Sequence, residues 1–136
     1  MNQVFTFSEA LEASKIYFDG DELAAKVWVN KYALKDSNGN IYEKTPTDMH
    51  WRLAREIARI ERKYPNPMNE EELFELFDRF KYIVPQGGPM TGIGNPYQIS
   101  SLSNCFVCQL EESNTDSYGS IMKVDEELIQ LEKRRG

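Results

Sequence analysis

Cysteine, histidine and positive charge are all scarce in this chain, and each shortage excludes something. Two cysteines in 136 residues are too few for a disulfide scaffold, so a reducing cytoplasm is the expected setting. A single histidine leaves no Ser-His-Asp pattern and no spacing of metal ligands. Lys and Arg number 16 against 22 Asp and Glu, a net charge of −6, which repels a phosphate backbone and argues against general nucleic-acid binding. The one basic cluster, Lys133-Arg134-Arg135, is what the negative end of a helix dipole attracts. No apolar run approaches the roughly 18 residues of a membrane span. The start, MNQVFTFSEALEAS, has neither the cationic nor the apolar block of a secretory leader. What remains is a chain with 40% hydrophobic residues, enough for one ordinary domain or a piece of a larger one.

Helical signals fill the first two-thirds. Ser8 can cap a short helix through about Phe18, closed by Gly20. A second helix is expected from about Asp21 to Leu34, with Leu23, Val27 and Trp28 on one face, before the Asn38-Gly39 turn. Thr45, Pro46 and Asp48 announce a third helix, whose stripe is Met49, Leu53, Ile57 and Ile60. Asn69 with Glu72 opens a fourth in capping-box fashion, with Leu73, Phe77, Phe80 and Val84 as its inner face.

The texture changes after Pro85. Residues 85–96 hold four glycines and three prolines, which predicts a loop rather than helix or strand interior. No Gly-Lys-Ser/Thr closes it, so it is not a Walker-type phosphate loop. Its apolar Met90 and Ile93 favour a fixed loop lining a site over a linker. Cys105 to Leu110 reads as one buried strand, and a polar loop from Glu111 to Thr115 follows. Asp116 or Ser117 caps a last helix striped by Ile121, Val124, Leu128 and Leu131. A lone buried strand leaves backbone groups unpaired, so the sequence reads as incomplete, with further strand–helix units expected elsewhere.

Three places can carry chemistry. Cys105 opens the expected strand beside the glycine-rich loop, where α/β folds place reactive groups, although most free cysteines are simply small buried hydrophobes. Cys105 and Cys108 are not expected to act as a pair, because residues three apart on a strand face opposite ways. Asp116-Ser117, at a helix start, suits phosphate or ribose hydroxyls, against the plainer reading of an N-cap. His50, on a polar part of the third helix, is expected to be solvated or at the core edge. No metal site is expected.

Ser101-Leu102-Ser103-Asn104-Cys105-Phe106-Val107, preceded by Val84-Pro85 and Gly88-Pro89-Met90, resembles the first active-site segment of ribonucleotide reductase large (catalytic) subunits. Asp116-Ser117-Tyr118-Gly119-Ser120-Ile121 is similar to the stretch that follows it there, and Lys133-Arg134-Arg135-Gly136 to the opening of a later arginine-glycine passage. Glu22 to Trp28, and Thr45-Pro46 with Met49-His50, resemble the helical domain that precedes the barrel in that family. The likeness covers nearly all of this chain and the N-terminal minority of a full catalytic subunit.

The resemblance implies a mainly α chain. An N-terminal helical domain, residues 1–84, precedes the active-site loop and the first strand–helix unit of a ten-stranded α/β barrel, residues 85–136, the barrel being incomplete. The implied activity is that of a ribonucleoside-diphosphate reductase working by thiyl-radical chemistry, with di- and triphosphate substrates both left open by the residues. Cys105 matches the redox-active cysteine that helps protonate the departing 2′-hydroxyl and then forms a disulfide with a cysteine from a later strand. Substrate binding falls to Gly88, Asn104 and Cys105. Gly88 stands where many relatives carry serine or threonine, so a phosphate contact there would come from backbone N–H. Asp116, Ser117 and Tyr118 match positions that hold a deoxynucleotide effector.

The implied partners are the remainder of the catalytic subunit, a ribonucleotide, a deoxynucleotide effector and, when complete, a second copy in a homodimer. The radical would come from a metal-containing small subunit or from adenosylcobalamin, and no cofactor is expected on this segment. No ATP-cone domain is expected before the helical one, and the segment alone is expected to be inactive. The alternative is a non-catalytic helical interaction module derived from the same family. A downstream continuation carrying Cys-x-Glu separates the two.

Overall fold

The computed structural model describes residues 3–110 and 115–134. Among the described residues six α-helices stand in chain order: α1 (Phe7–Tyr17), α2 (Glu22–Lys31), α3 (Pro46–Glu61), α4 (Glu70–Phe77), α5 (Gly87–Gly92) and α6 (Tyr118–Glu132). A 3-10 turn, Asp78–Phe80, continues α4. No strand ladder forms among the described residues, only isolated bridges of Ile41 to Phe5 and to Lys35. The mainly helical expectation therefore holds, while no barrel strand is seen. Part of the expected loop after Leu110, along with Arg135 and Gly136, lies outside the described residues.

The helices pack in two pairs, α1 with α2 and α3 with α4, around a main core, with a smaller cluster of Ala54, Ala58 and Leu73 between α3 and α4. Trp28 and Val29 of α2, Met49 and Leu53 of α3, and Phe77 of α4 fill the main core. Met90 of α5 is buried in the same cluster, with Ile93 packed against it, so the glycine-rich segment is fixed to the helical core. No helix among the described residues is long and apolar enough to cross a membrane.

Several local expectations are corrected. Helix α1 is capped by Thr6 rather than Ser8: the Thr6 hydroxyl accepts from the Glu9 N–H while the Glu9 carboxylate accepts from the Thr6 N–H at 2.8 Å. Helix α2 ends at Lys31, not Leu34. The Leu34 N–H is claimed by the Glu43 carboxylate at 2.8 Å, and the Lys35 ammonium reaches back to helix carbonyls, among them that of Asn30 at 2.8 Å. Its inner face is Ala25, Trp28 and Val29, whereas Leu23 is 73% exposed. Alanine lets α2 approach its neighbours closely, which turns Leu23 and Val27 outward.

Helix α3 follows its signals. Pro46 takes the first helical position, and the Asp48 carboxylate accepts from the Thr45 and Lys44 N–H groups at 3.0 and 2.7 Å. Met49 and Leu53 are fully buried, Ile57 is half-buried, and Ile60 lies at the edge. Asn69 and Glu72 form the expected capping box, and Leu73 and Phe77 face inward, but Val84 is exposed.

Four further corrections concern the second half and His50. Residues 87–92 are helical despite their glycines and proline, because Pro89 lies in the first turn, where its missing N–H costs nothing. Residues 105–110 form no buried strand, and Val107 is 93% exposed, since no neighbouring strand among the described residues offers it a ladder. The α6 stripe is uncovered as well, with Ile121 and Leu128 exposed. His50, expected near solvent, is fully buried.

Candidate functional site

The site grows from α5. Its N-terminal half carries Gly88, whose N–H donates to the Asn104 side-chain oxygen at 2.7 Å. A Cβ on Gly88 would stand 2.5 Å from that same oxygen, and one on Gly92 would stand 2.5 Å from the Ser100 hydroxyl oxygen. Gly88 and Gly92, four apart on one helix face, thus let the 100–104 segment lie directly against α5. Cys105 follows Asn104 and is an exposed free thiol, while Cys108 is free and half-buried.

The segment is bonded to itself along its length. The Thr91 hydroxyl donates to the Gly87 carbonyl at 2.9 Å. The Asn95 amide donates to the Thr91 carbonyl at 3.0 Å and accepts from the Tyr97 N–H at 2.8 Å. Below α5, Arg52 donates from Nε to Glu43 at 2.7 Å and from a terminal nitrogen to the Met90 carbonyl at 2.8 Å, and its other terminal nitrogen bonds the Ile93 carbonyl. Both members of the ion pair are buried. Burial pushes the Glu43 carboxyl above the usual range, with Arg52 beside it pulling the other way. Removing one partner from such a pair typically costs about 3–5 kcal/mol.

A cleft of about 760 Å³ opens between the chain at Ser100–Ser101, the Phe106–Cys108 segment and α6. That volume lies within the range of small-molecule sites. The Ser101 N–H donates to the Arg134 carbonyl at 2.9 Å, tying the far end of α6 to the segment before Cys105.

The expected residues fall into two groups. Gly88 and Asn104 meet in a hydrogen bond, with Cys105 next in the chain. Asp116, Ser117 and Tyr118 belong to the start of α6. There the Ser117 hydroxyl caps the helix by accepting from the Ser120 N–H at 3.1 Å, and Tyr118 is 87% exposed. Among the described residues no group of three or more metal-ligating side chains converges. Arg52, Glu43 and Gly92 were not singled out by sequence reasoning. The signal available was a charge at position 52, between Met49 and Leu53 on the apolar face of α3.

Replacing Gly88 by alanine is expected to swing the exposed Asn104 side chain away and break its hydrogen bond, at a cost of about 1 kcal/mol. Amide exchange at position 88 checks this; undiminished protection there would reject the contact.

The described residues thus form an all-helical domain with a fixed glycine-rich segment beside an exposed free thiol. The family model of the ribonucleotide reductase all-alpha domain matches residues 18–88, just over half of the chain. The chain belongs to the ribonucleotide reductase large-subunit family and carries its N-terminal all-alpha domain. No curated protein and no solved structure gives a significant match.

Proposed function

We propose that this chain supplies the helical domain, residues 1–84, and the first active-site segment, residues 85–136, of a ribonucleotide reductase catalytic subunit. The observation that carries the reading is the family match over residues 18–88. An accessible Cys105 beside the Gly88–Asn104 contact is consistent with it. So is the uncovered apolar surface of Ile99, Val107 and Ile129, which an added sheet and helix layer would bury.

In this reading Asn104 and the backbone at Gly88 hold a ribonucleotide, and Cys105 gives its thiol proton to the leaving 2′-hydroxyl, which departs as water. Hydroxide is a poor leaving group, and a nearby thiol supplies both a proton and reducing equivalents. Cys105 and a cysteine outside this segment end as a disulfide. The radical is generated elsewhere, by a metal-containing small subunit or adenosylcobalamin, and no step on this segment passes through a metal. Asp116, Ser117 and Tyr118 bind a deoxynucleotide effector, the complete enzyme is a cytoplasmic homodimer, and the segment alone does not turn over.

The test is complementation. This chain, mixed with a polypeptide carrying the remaining barrel, is expected to reduce ribonucleotides where neither does alone; no activity from a correctly associated mixture would overturn the reading. In the active mixture Asp116→Ala is expected to weaken effector affinity about tenfold, the loss of a hydrogen bond to a charged group, with basal turnover little changed. An unaltered effector titration would remove Asp116 from that role.

A further inference from the structure

We propose that Arg52, held in place by Glu43, is the positioning residue for the segment bearing Gly88, Asn104 and Cys105. Its guanidinium is a three-way junction: Glu43 from the loop before α3, and the Met90 and Ile93 carbonyls at the end of α5. A planar fork with several fixed, divergent donors serves a carboxylate and two carbonyls on different sides at once, where an ammonium offers donors from a single point. Glu43 is itself anchored, accepting from the Leu34 N–H just past α2. The end of α5 is therefore fixed to the junction of α2 and α3.

Three more contacts make the placement specific. Gly94 has φ +67°, and a Cβ there would meet the Arg52 Cγ at 2.9 Å, so the chain folds over the arginine stem where no side chain fits. On the opposite side, Gly88 and Gly92 rest against Asn104 and Ser100 without flexible side chains of their own to absorb a displacement. A shift of α5 is passed on to the 100–105 segment. Misplacement of reacting groups by about 1 Å can cost a hundredfold in rate.

The kinetic consequence rests on the proposed reductase reading; the structural one does not. Arg52→Lys keeps the charge beside Glu43 but loses the fork. Glu43→Gln keeps a hydrogen-bonding partner and serves should the lysine variant fail to fold. Amide exchange in the chain is expected to accelerate over 87–95 and 100–104 at least about tenfold more than over residues 25–29 and 49–54, which report any loss of global stability. Exchange that is unchanged, or that rises evenly through the core, overturns the proposal. In the complemented reductase, KM for the ribonucleotide is expected to rise about tenfold, with a smaller change in kcat. Loosened exchange with unchanged KM and kcat also overturns it. Failure of the wild-type mixture to reduce ribonucleotides would instead sink the functional reading, leaving the exchange result to judge the arginine.

Discussion

Cys105→Ser is expected to reduce ribonucleotide reduction in the complemented enzyme about a thousandfold or more. Serine is nearly isosteric, so the fold and the Gly88–Asn104 contact should persist. Two chemical capacities vanish with the sulfur. A hydroxyl is a far weaker acid than a thiol, and positioned acid catalysis is worth about 10²–10⁴ in rate. An alcohol also cannot form the disulfide that supplies two electrons to the substrate. Cys108→Ser is the internal comparison: Cys108 is half-buried against the segment's own neighbours, and its loss is expected to leave most activity. Substrate reduction measured under turnover distinguishes the two, and full activity in the Cys105 variant would exclude that thiol from the chemistry.

The second large effect is on stability in acid. His50 is fully buried, neither ring nitrogen has a hydrogen-bond partner among the described residues, and aromatic rings surround it: Phe80 edge-on at 4.6 Å, Phe77 at 6.3 Å and Tyr17 at 6.5 Å. Burial lowers its pKa to about 4, and the nearby Asp78 carboxylate opposes this only weakly. The folded chain therefore keeps the ring neutral in a range where the unfolded chain, titrating near 6.5, takes up a proton. The unfolded state binds more protons, so stability falls as pH drops from about 6.5 towards 4. At 1.36 kcal/mol per pH unit the loss approaches about 3 kcal/mol. Glu43 runs the other way, because a buried carboxyl with a raised pKa takes up its proton first in the folded state. Urea unfolding of wild type and His50→Leu at a series of pH values separates the two, since Glu43 is common to both. A shallower slope between pH 6.5 and 4 is expected for the leucine variant, and identical slopes would contradict the assignment.

Elements with local signals were legible in the sequence. Thr45-Pro46-Asp48 and Asn69–Glu72 close their own backbone groups within one turn, and no tertiary partner is needed to see it. Met90 as an anchor in a fixed segment was readable because an apolar residue in a polar loop needs a place to go. What was hidden depended on distant partners. Helix 87–92 forms against the propensity of its glycines, with the Met90 carbonyl held by Arg52, 38 residues earlier in the chain. The inner face of α2 was misjudged because Leu23 outranks Ala25 in hydrophobicity, while close helix approach favours the smaller residue. The strand at 105–110 was read correctly as needing neighbours and wrongly as formed, since β pairing is a property of two segments and only one is at hand. Within the candidate site, Gly88, Asn104 and Cys105 follow from resemblance. The meeting of the first two, through a hydrogen bond and a missing Cβ, could be learned only from coordinates.

The close approach of Gly94 to Arg52 reaches beyond a single molecule. The backbone turns across the arginine stem at a point where even a methyl group would collide. Descendants that retain a long stem at 52 are barred from filling position 94, and a lineage that shortened 52 would still meet the left-handed backbone at 94 and the carbonyl of residue 52 beside it. The glycine is thus held by its own backbone as well as by its neighbour, and a designer grafting this loop onto another helical scaffold has to carry both residues across together.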